Sequence, residues 1–293
     1  MRIFVTGASG WIGSAVVPEL ISAGHQVLGL ARSDASARAV TDMGAEALRG
    51  DLNDTDVLRA GTLDSDGVIH LAFVVPSMSE AATQTDAKAI ETFVTGLAGT
   101  GKPLVISGAT LVTPGRPWTE RDELIAAGPN AARITNMQTA LAAADRGVRS
   151  SLVMLPRSVH GQGERHGFVP QLVAAARAKG VSGYIGDGDS RWPAVHVKDA
   201  ARLYRLAIEQ APAATVLNAV GEEGVPVREI AEAIGRQLNL PARSLPAEEY
   251  EGIFVRLLTT DMPASSTITQ ELLGWTPTHP GLIEDIEQGH YFV

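Results

Sequence analysis

The stretch that most constrains the fold is at the N-terminus. An apolar run, Ile3 to Thr6, leads straight into Thr6-Gly7-Ala8-Ser9-Gly10-Trp11-Ile12-Gly13. Beyond it, Ile12, Val16, Leu20 and Ile21 recur at helical spacing. A second apolar run, Gln26 to Leu30, follows Gly24, a residue suited to ending the helix. Strand, glycine turn, helix and strand in this order predict a βαβ unit. Gly7 permits the tight turn, Gly10 lets backbone approach a phosphate, and Gly13 lets helix pack on strand. The helix N-terminus offers N–H groups and the positive end of its dipole to an anion. The pattern therefore predicts a dinucleotide pyrophosphate held by Thr6, Gly7, Ser9, Gly10, Trp11, Ile12 and Gly13.

Further strands are expected at Ala45 to Leu48, Gly67 to Leu71, Leu104 to Ser107 and Ser151 to Leu155, alternating with helical periodicity. Leu104-Val105-Ile106 has the continuous apolar character of a strand buried on both faces. The fold class expected is α/β, a doubly wound parallel-sheet Rossmann fold with a smaller C-terminal substrate domain. The dinucleotide-binding domain is expected over 1–155 and the smaller region over 156–293, with about 194–220 returning to the first. In the second region, helices are expected at Val169 to Ala178, from Asp199, at Val225 to Leu238 and at Ile268 to Leu273. A returning strand is expected at Val216 to Val220.

The end of the second strand selects between dinucleotides. NAD binders carry an acidic residue there, about 20 positions past the glycines, to hold the ribose hydroxyls. This chain has Ala31, Arg32 and Ser33. Arg32 suits a 2′-phosphate and Ser33 adds a hydroxyl, so NADP(H) is expected, with NAD(H) the alternative. Asp51 and Leu52 are placed near the adenine, unless Asp51 is a turn residue. Leu71, Ala72 and Ser107 close the cofactor-binding set.

Composition narrows the rest. The 293 residues are 45% hydrophobic, with a net charge of −9 and no cysteine. The spread negative charge excludes a nucleic-acid footprint. No apolar run reaches the roughly 20 residues of a membrane span, and no signal peptide is apparent, so a cytoplasmic location is expected. Thiolate metal sites and cysteine nucleophiles are excluded, and His160, Glu164 and His166 match no metal-ligand spacing.

With these residues in view, the chain resembles the extended short-chain dehydrogenase/reductase family, also called the NAD-dependent epimerase/dehydratase family. The resemblance runs almost end to end. It rests on the glycine loop at Thr6, Gly50-Asp51-Leu52, His70-Leu71-Ala72, Ile106-Ser107-Gly108 and Val159-His160-Gly161. It continues through Val195-His196-Val197-Lys198-Asp199 and Leu273-Gly274-Trp275-Thr276-Pro277. The family's proton chemistry uses a Ser or Thr together with a Tyr and a Lys four residues later. None of Tyr184, Tyr204, Tyr250 and Tyr291 has that lysine. By alignment, Arg133 and Met137 stand in the Tyr and Lys places, and Gly108 in the serine place. The chain thus resembles an atypical branch of the family.

Other groups must then manage the proton. Thr110 is expected to hydrogen-bond a substrate carbonyl, or to serve its loop. Arg133 is expected to polarise a carbonyl or hold an anionic group, or to be a solvated helix residue. His160 is a candidate general acid, since histidine titrates near neutrality; a packed structural histidine is the other reading. The substrate pocket is expected from Phe73, Val75, Met78, Asn136, His166, Phe168 and Trp192. The expected activity is NADP(H)-dependent reduction of a carbonyl or related polarised double bond of a small molecule. The alternatives are a non-catalytic NADP(H) sensor and a non-redox isomerase or lyase. By analogy with the family, a homodimer is expected through helices beginning near Ala87 and Asn130.

Overall fold

A computed structural model describes residues 1–73, 79–250 and 252–292. Twelve strands alternate with eleven α-helices among these residues. The strands are β1 (Arg2–Thr6), β2 (Gln26–Ala31), β3 (Glu46–Arg49), β4 (Gly67–His70), β5 (Pro103–Ala109) and β6 (Arg149–Leu155). They continue with β7 (Ser158–His160), β8 (Ser182–Tyr184), β9 (Arg191–His196), β10 (Thr215–Asn218), β11 (Glu222–Pro226) and β12 (Ala242–Ser244). The helices are α1 (Gly13–Ser22), α2 (Asp34–Asp42), α3 (Thr55–Leu63), α4 (Glu80–Leu97), α5 (Ala131–Ala142) and α6 (Phe168–Lys179). After these come α7 (Val197–Gln210), α8 (Val227–Leu238), α9 (Ile253–Thr259), α10 (Thr267–Leu273) and α11 (Leu282–Glu287).

Seven strands form one parallel sheet in the order β3-β2-β1-β4-β5-β6-β10. The order reverses between β1 and β4, which opens a crevice at their C-terminal ends where such sheets bind ligands. Successive side chains of a strand point to opposite faces. Ile3 and Val5 of β1 accordingly join one core, with Val16, Val17 and Leu20 of α1 and Leu203, Tyr204 and Ile208 of α7. Phe4, from the same strand, joins the other core, with Leu58, Ile90, Phe93, Ile134 and Met137 of α3, α4 and α5. Both faces are covered, which is why these strands read as unbroken apolar runs.

The last sheet strand, β10, arrives after a long excursion and pairs with β6 from Thr215 opposite Ser151 to Asn218 opposite Met154. A third core lies outside this sheet. There Val169 and Val173 of α6, Ile230 and Ile234 of α8, and Leu282 and Ile286 of α11 surround Trp192. Val225 and Pro226, expected in a helix, instead lie in β11, where Val225 pairs opposite Trp192. Pro226 has no N–H to donate to a helix and sits directly before α8. Among the described residues, no helix is long and apolar enough to cross a membrane.

Candidate dinucleotide and substrate site

The glycine loop sits in the β1/β4 crevice. Gly7 has φ +69, and a Cβ on it would come within 2.8 Å of the Ala72 nitrogen. A Cβ on Gly13 would lie 2.2 Å from the Gly7 carbonyl oxygen and 2.5 Å from that of Ala8. Neither position can take a side chain without moving backbone. The next three helices are capped by the side chains of Ser33, Asp54 and Ser79, whereas no side chain caps α1. An uncapped helix start behind a glycine turn fits a phosphate-bearing ligand. Thr6 anchors the turn from below. Its hydroxyl lies 2.6 Å from His70 Nδ1 and accepts from the Ala72 N–H at 3.3 Å. Trp11 donates its indole N–H to the Val159 carbonyl at 2.8 Å, tying the loop to the chain beyond β6.

At the ribose end, Arg32 is exposed just past β2 and makes no ion pair among the described residues. Ser33 is committed locally: it accepts from the Ser36 N–H and donates its own N–H to Ser36 Oγ, forming a capping box for α2. Asp51 is also engaged in a turn, accepting from the backbone and side chain of Asn53 at 2.9 and 2.6 Å. Leu52 packs on the core that carries Phe4.

The positions corresponding to the family's proton-transfer set come together in space. A Cβ on Gly108 would lie 2.3 Å from Met154 Sδ and 2.6 Å from Met137 Sδ, so thioethers fill the space a serine would take. Arg133 donates to the Ser107 carbonyl at 3.1 Å, lies 4.0 Å from Asp86 Oδ2 and stacks on the Phe73 ring at 3.6 Å. Burial lowers the Arg133 pKa from its usual value, while Asp86 opposes the shift. Asp86 accepts from Asn136 at 2.7 Å and lies 3.1 Å from His70 Nε2. Burial alone would raise the Asp86 pKa, but His70, Asn136 and Arg133 together hold it below the usual carboxylate range. Ser107 Oγ lies 2.7 Å from the Tyr204 hydroxyl, and burial pushes that phenol up. One buried polar chain thus runs from Thr6 through His70 and Asp86 to Arg133, Ser107 and Tyr204. Asp86 and Tyr204 carry no motif and were missed by sequence reasoning. Only the helical period of α4 marks Asp86 as facing inward.

Thr110 follows β5 and donates its N–H to the Leu155 carbonyl at 2.9 Å. Its side chain is buried, and the hydroxyl has no hydrogen-bond partner among the described residues. Beyond it, an open cleft of about 520 Å³ lies beneath the β5–α5 connection, lined by Leu111, Val112, Trp118, Asp122, Asn130 and Ile134.

Several expectations are corrected. His160 is 0% exposed, so it touches no substrate. Its Nδ1 lies 3.0 Å from Asp285, and its ring meets that of His196 edge-on. Asn136 is buried, and its amide nitrogen donates to Asp86 and the Thr83 carbonyl, so its donors are committed inside the protein. Trp192 is 0% exposed and donates to the Leu257 carbonyl inside the third core. Phe168 packs edge-on against Trp192 in that core. His166 is exposed, and its carbonyl accepts from Gln171. Val75 and Met78 lie outside the described residues. Of the expected pocket residues that the structure describes, Phe73 is the one brought against Arg133.

The loop around His160 instead builds a second buried cluster. The Tyr291 hydroxyl accepts from the Gly161 N–H at 3.0 Å and lies 2.9 Å from Asp285 and 3.0 Å from Glu164. Burial and the nearby Asp285 push the Glu164 pKa up to about 8, against the Tyr291 hydrogen bond.

Comparison with known proteins gives the family and the fold. Residues 3–101 and 105–219 match the model of the NAD dependent epimerase/dehydratase family. The chain belongs to that family. It is 44% identical over 298 residues to an uncharacterized protein of Schizosaccharomyces pombe, covering 100% of both chains. It is 28% identical to the 2-alkyl-3-oxoalkanoate reductase of Stenotrophomonas maltophilia, over 82% of this chain and 77% of that one. The fold matches the Thermus thermophilus UDP-glucose 4-epimerase, a complex with NAD, at a TM-score of 0.73 and 19% identity, over 99% of each chain.

Proposed function

We propose that the protein is an NADP(H)-dependent reductase of a carbonyl, or a related polarised double bond, in a small organic molecule. NAD(H) is the alternative cofactor. The Gly7 and Gly13 positions, which a Cβ would obstruct, and the uncapped start of α1 fit a dinucleotide. Arg32, exposed and without an ion pair among the described residues, favours a 2′-phosphate. Ser9, Gly10, Ile12, Leu71 and Ala72 complete the cradle in this reading. A bound nicotinamide supplies the hydride.

The observation that carries the reading is the fixed guanidinium of Arg133 at the C-terminal edge of the sheet. The Ser107 carbonyl, Asp86 and the Phe73 ring hold it in place. Reduction of a carbonyl places negative charge on its oxygen, and a pre-oriented cation stabilises that charge without reorganisation. Arginine keeps its own proton, so the proton that completes the alcohol comes from water. The 2-alkyl-3-oxoalkanoate reductase among the relatives supports carbonyl reduction as the reaction class.

A non-catalytic sensor is the second reading, favoured by the thioethers of Met137 and Met154 packed against Gly108. Calorimetric titration with NADPH, NADH, NADP and NAD, repeated on Arg32→Ala, tests the cofactor. NADPH binding that weakens selectively in the variant is expected. A carbonyl panel followed by NADPH absorbance then separates the readings, with turnover lost in Arg133→Met. Binding without turnover on any substrate supports the sensor, and no binding at all defeats both.

A further inference from the structure

Strand β7 and the glycine-rich loop after it, Gly161 to Gly167, touch the dinucleotide loop on one side and the third core on the other. On the first side they hold Trp11, the residue that follows Gly10 in the phosphate turn. The Val159 carbonyl accepts the Trp11 indole N–H at 2.8 Å. A Cβ on Gly163 would touch the same indole ring at 3.7 Å. On the second side the loop hangs on one phenol, that of Tyr291, which packs in the third core. Tyr291 accepts from the Gly161 N–H at 3.0 Å and stands between Glu164, at 3.0 Å, and Asp285, at 2.9 Å. The Glu164 side chain folds back into its own loop, where its Oε1 fills the space that a Cβ on Gly167 would need.

A phenol has one proton to donate and two lone pairs to accept with. While the Glu164 carboxyl is neutral, every group is served. Glu164 donates to the phenol oxygen alongside the Gly161 N–H, and the phenol donates to Asp285. Once Glu164 is ionised, two carboxylates compete for the one phenolic proton. Asp285 also has His160 at 3.0 Å and His290 at 3.6 Å, whereas Glu164 has no other side-chain partner among the described residues. The remaining neighbour, His196 of β9, meets His160 edge-on and accepts from the Lys198 N–H. Arg165 and His166 of the loop are exposed, and among the described residues no lysine or arginine pairs with either carboxyl group. A buried carboxylate beside a second one, with no donor of its own, is driven toward water. Burial and then Asp285 push the Glu164 pKa up to about 8, so the proton is lost just above neutrality.

We propose that Glu164 and Tyr291 form a proton-operated latch on the dinucleotide site. With the Glu164 carboxyl neutral, the loop packs on Trp11. When the carboxyl ionises, Glu164 turns out to water and Gly163 leaves the indole ring. Both are positioning residues that act through Trp11. That the ligand beyond Trp11 is a dinucleotide rests on the reductase reading; the latch itself does not.

Tryptic cleavage after Arg165, in the exposed part of the loop, reads the latch without any ligand. It is followed from about pH 7 to 9 on the full chain, normalised at each pH to a peptide of residues 160–170. The wild-type rate should rise about tenfold, as the ionised fraction of a group with a pKa of about 8 does over that interval. Glu164→Gln should stay level, because its amide donates to the phenol as the neutral carboxyl does. Tyr291→Phe should be cleaved fast at every pH. NADPH affinity, titrated by calorimetry at the same pH values, should fall with pH in the wild type and stay level in Glu164→Gln. A flat wild-type cleavage profile, or an equal rise in Glu164→Gln, overturns the latch, and the wild-type profile decides alone if the variant does not fold. Cleavage that rises while NADPH affinity stays level overturns its hold on the dinucleotide site. Absence of NADPH binding at any pH defeats the cofactor reading instead, with cleavage still deciding the latch.

Discussion

Two buried polar clusters in this molecule contain the same pair, a histidine beside an aspartate, and resolve it differently. Beneath the glycine loop, Asp86 meets His70, Asn136 and the guanidinium of Arg133, and its pKa is held low. Behind the β7 loop, Asp285 meets His160, Tyr291 and, at 3.6 Å, His290, but a second carboxyl, Glu164, shares the site and no arginine or lysine enters it among the described residues. The Tyr291 hydroxyl has one proton to offer two carboxyl groups. Asp285 is kept ionised by His160 and Tyr291 despite its burial, so Glu164 is the group that retains a proton, and its pKa rises to about 8. Burial acts on both clusters alike. The first cluster has one carboxyl group for its donors, His70 foremost, whereas in the second His160 and His290 stand beside Asp285 and Glu164 has the Tyr291 hydroxyl.

The comparison breaks most severely if Asp86 is removed. Asp86→Ala leaves the Arg133 cation sheltered without its partner, and breaking such a pair costs about 3–5 kcal/mol. Urea unfolding at neutral pH measures this. A loss below about 1 kcal/mol would mean that Arg133 does not depend on Asp86.

Glu164 sharpens the contrast through pH. Its folded pKa, about 8, lies above the ordinary 4.5, so the folded state binds the proton more tightly. Stability from this group is complete below about 4.5 and is lost as pH rises through about 8. The total is on the order of 5 kcal/mol. His196, lowered to about 4 mainly by burial and next by His160, acts oppositely: its contribution is complete above 6.5 and is lost as pH falls through about 4. The window from about pH 6.5 to 9 therefore isolates Glu164. Unfolding followed across that window should show stability falling in the wild type and nearly level in Glu164→Gln. Equal slopes in the two proteins would remove the protonated carboxyl from the account.

Tyr291→Phe comes next in size. It leaves the Gly161 N–H and the protonated Glu164 without a buried partner, at a cost of about 1–3 kcal/mol in urea unfolding. Gly108→Ser is smaller or comparable, roughly 1–3 kcal/mol by overpacking, because the Met137 and Met154 sulfurs must move. Pairing it with Met137→Ala should recover part of that loss, and a double variant as unstable as the sum would show that the two sites do not share the space.

These clusters also mark how far the sequence could be read. The βαβ unit was legible because its glycines fall in one short stretch: Gly13 would collide with Gly7 and Ala8, although Gly7 itself meets the distant Ala72. Arg133 was legible by its alignment with a tyrosine position. The pairing of His70 with Asp86, or of His160 with Asp285 across 125 residues, leaves no periodic trace. Hydrophobic period reports which face of an element is buried, not which polar group meets it there. Trp192 was misread for a related reason. A large aromatic in a loop-rich segment suits a pocket wall and a core equally, and only the packing of α6 and α8 around it separates the two.

The late arrival of β10 has a consequence for the order of synthesis. When β6 leaves the ribosome its outer edge has no partner until Thr215 to Asn218 follow. At about 5–20 residues per second, that interval is roughly 3–12 s. During it, the backbone donors and acceptors of Ser151 to Met154 stand open beside a nascent chain, an invitation to pair with the wrong strand. The sheet is therefore finished by the half of the chain made last, and a protein interrupted before that point would carry an unguarded edge.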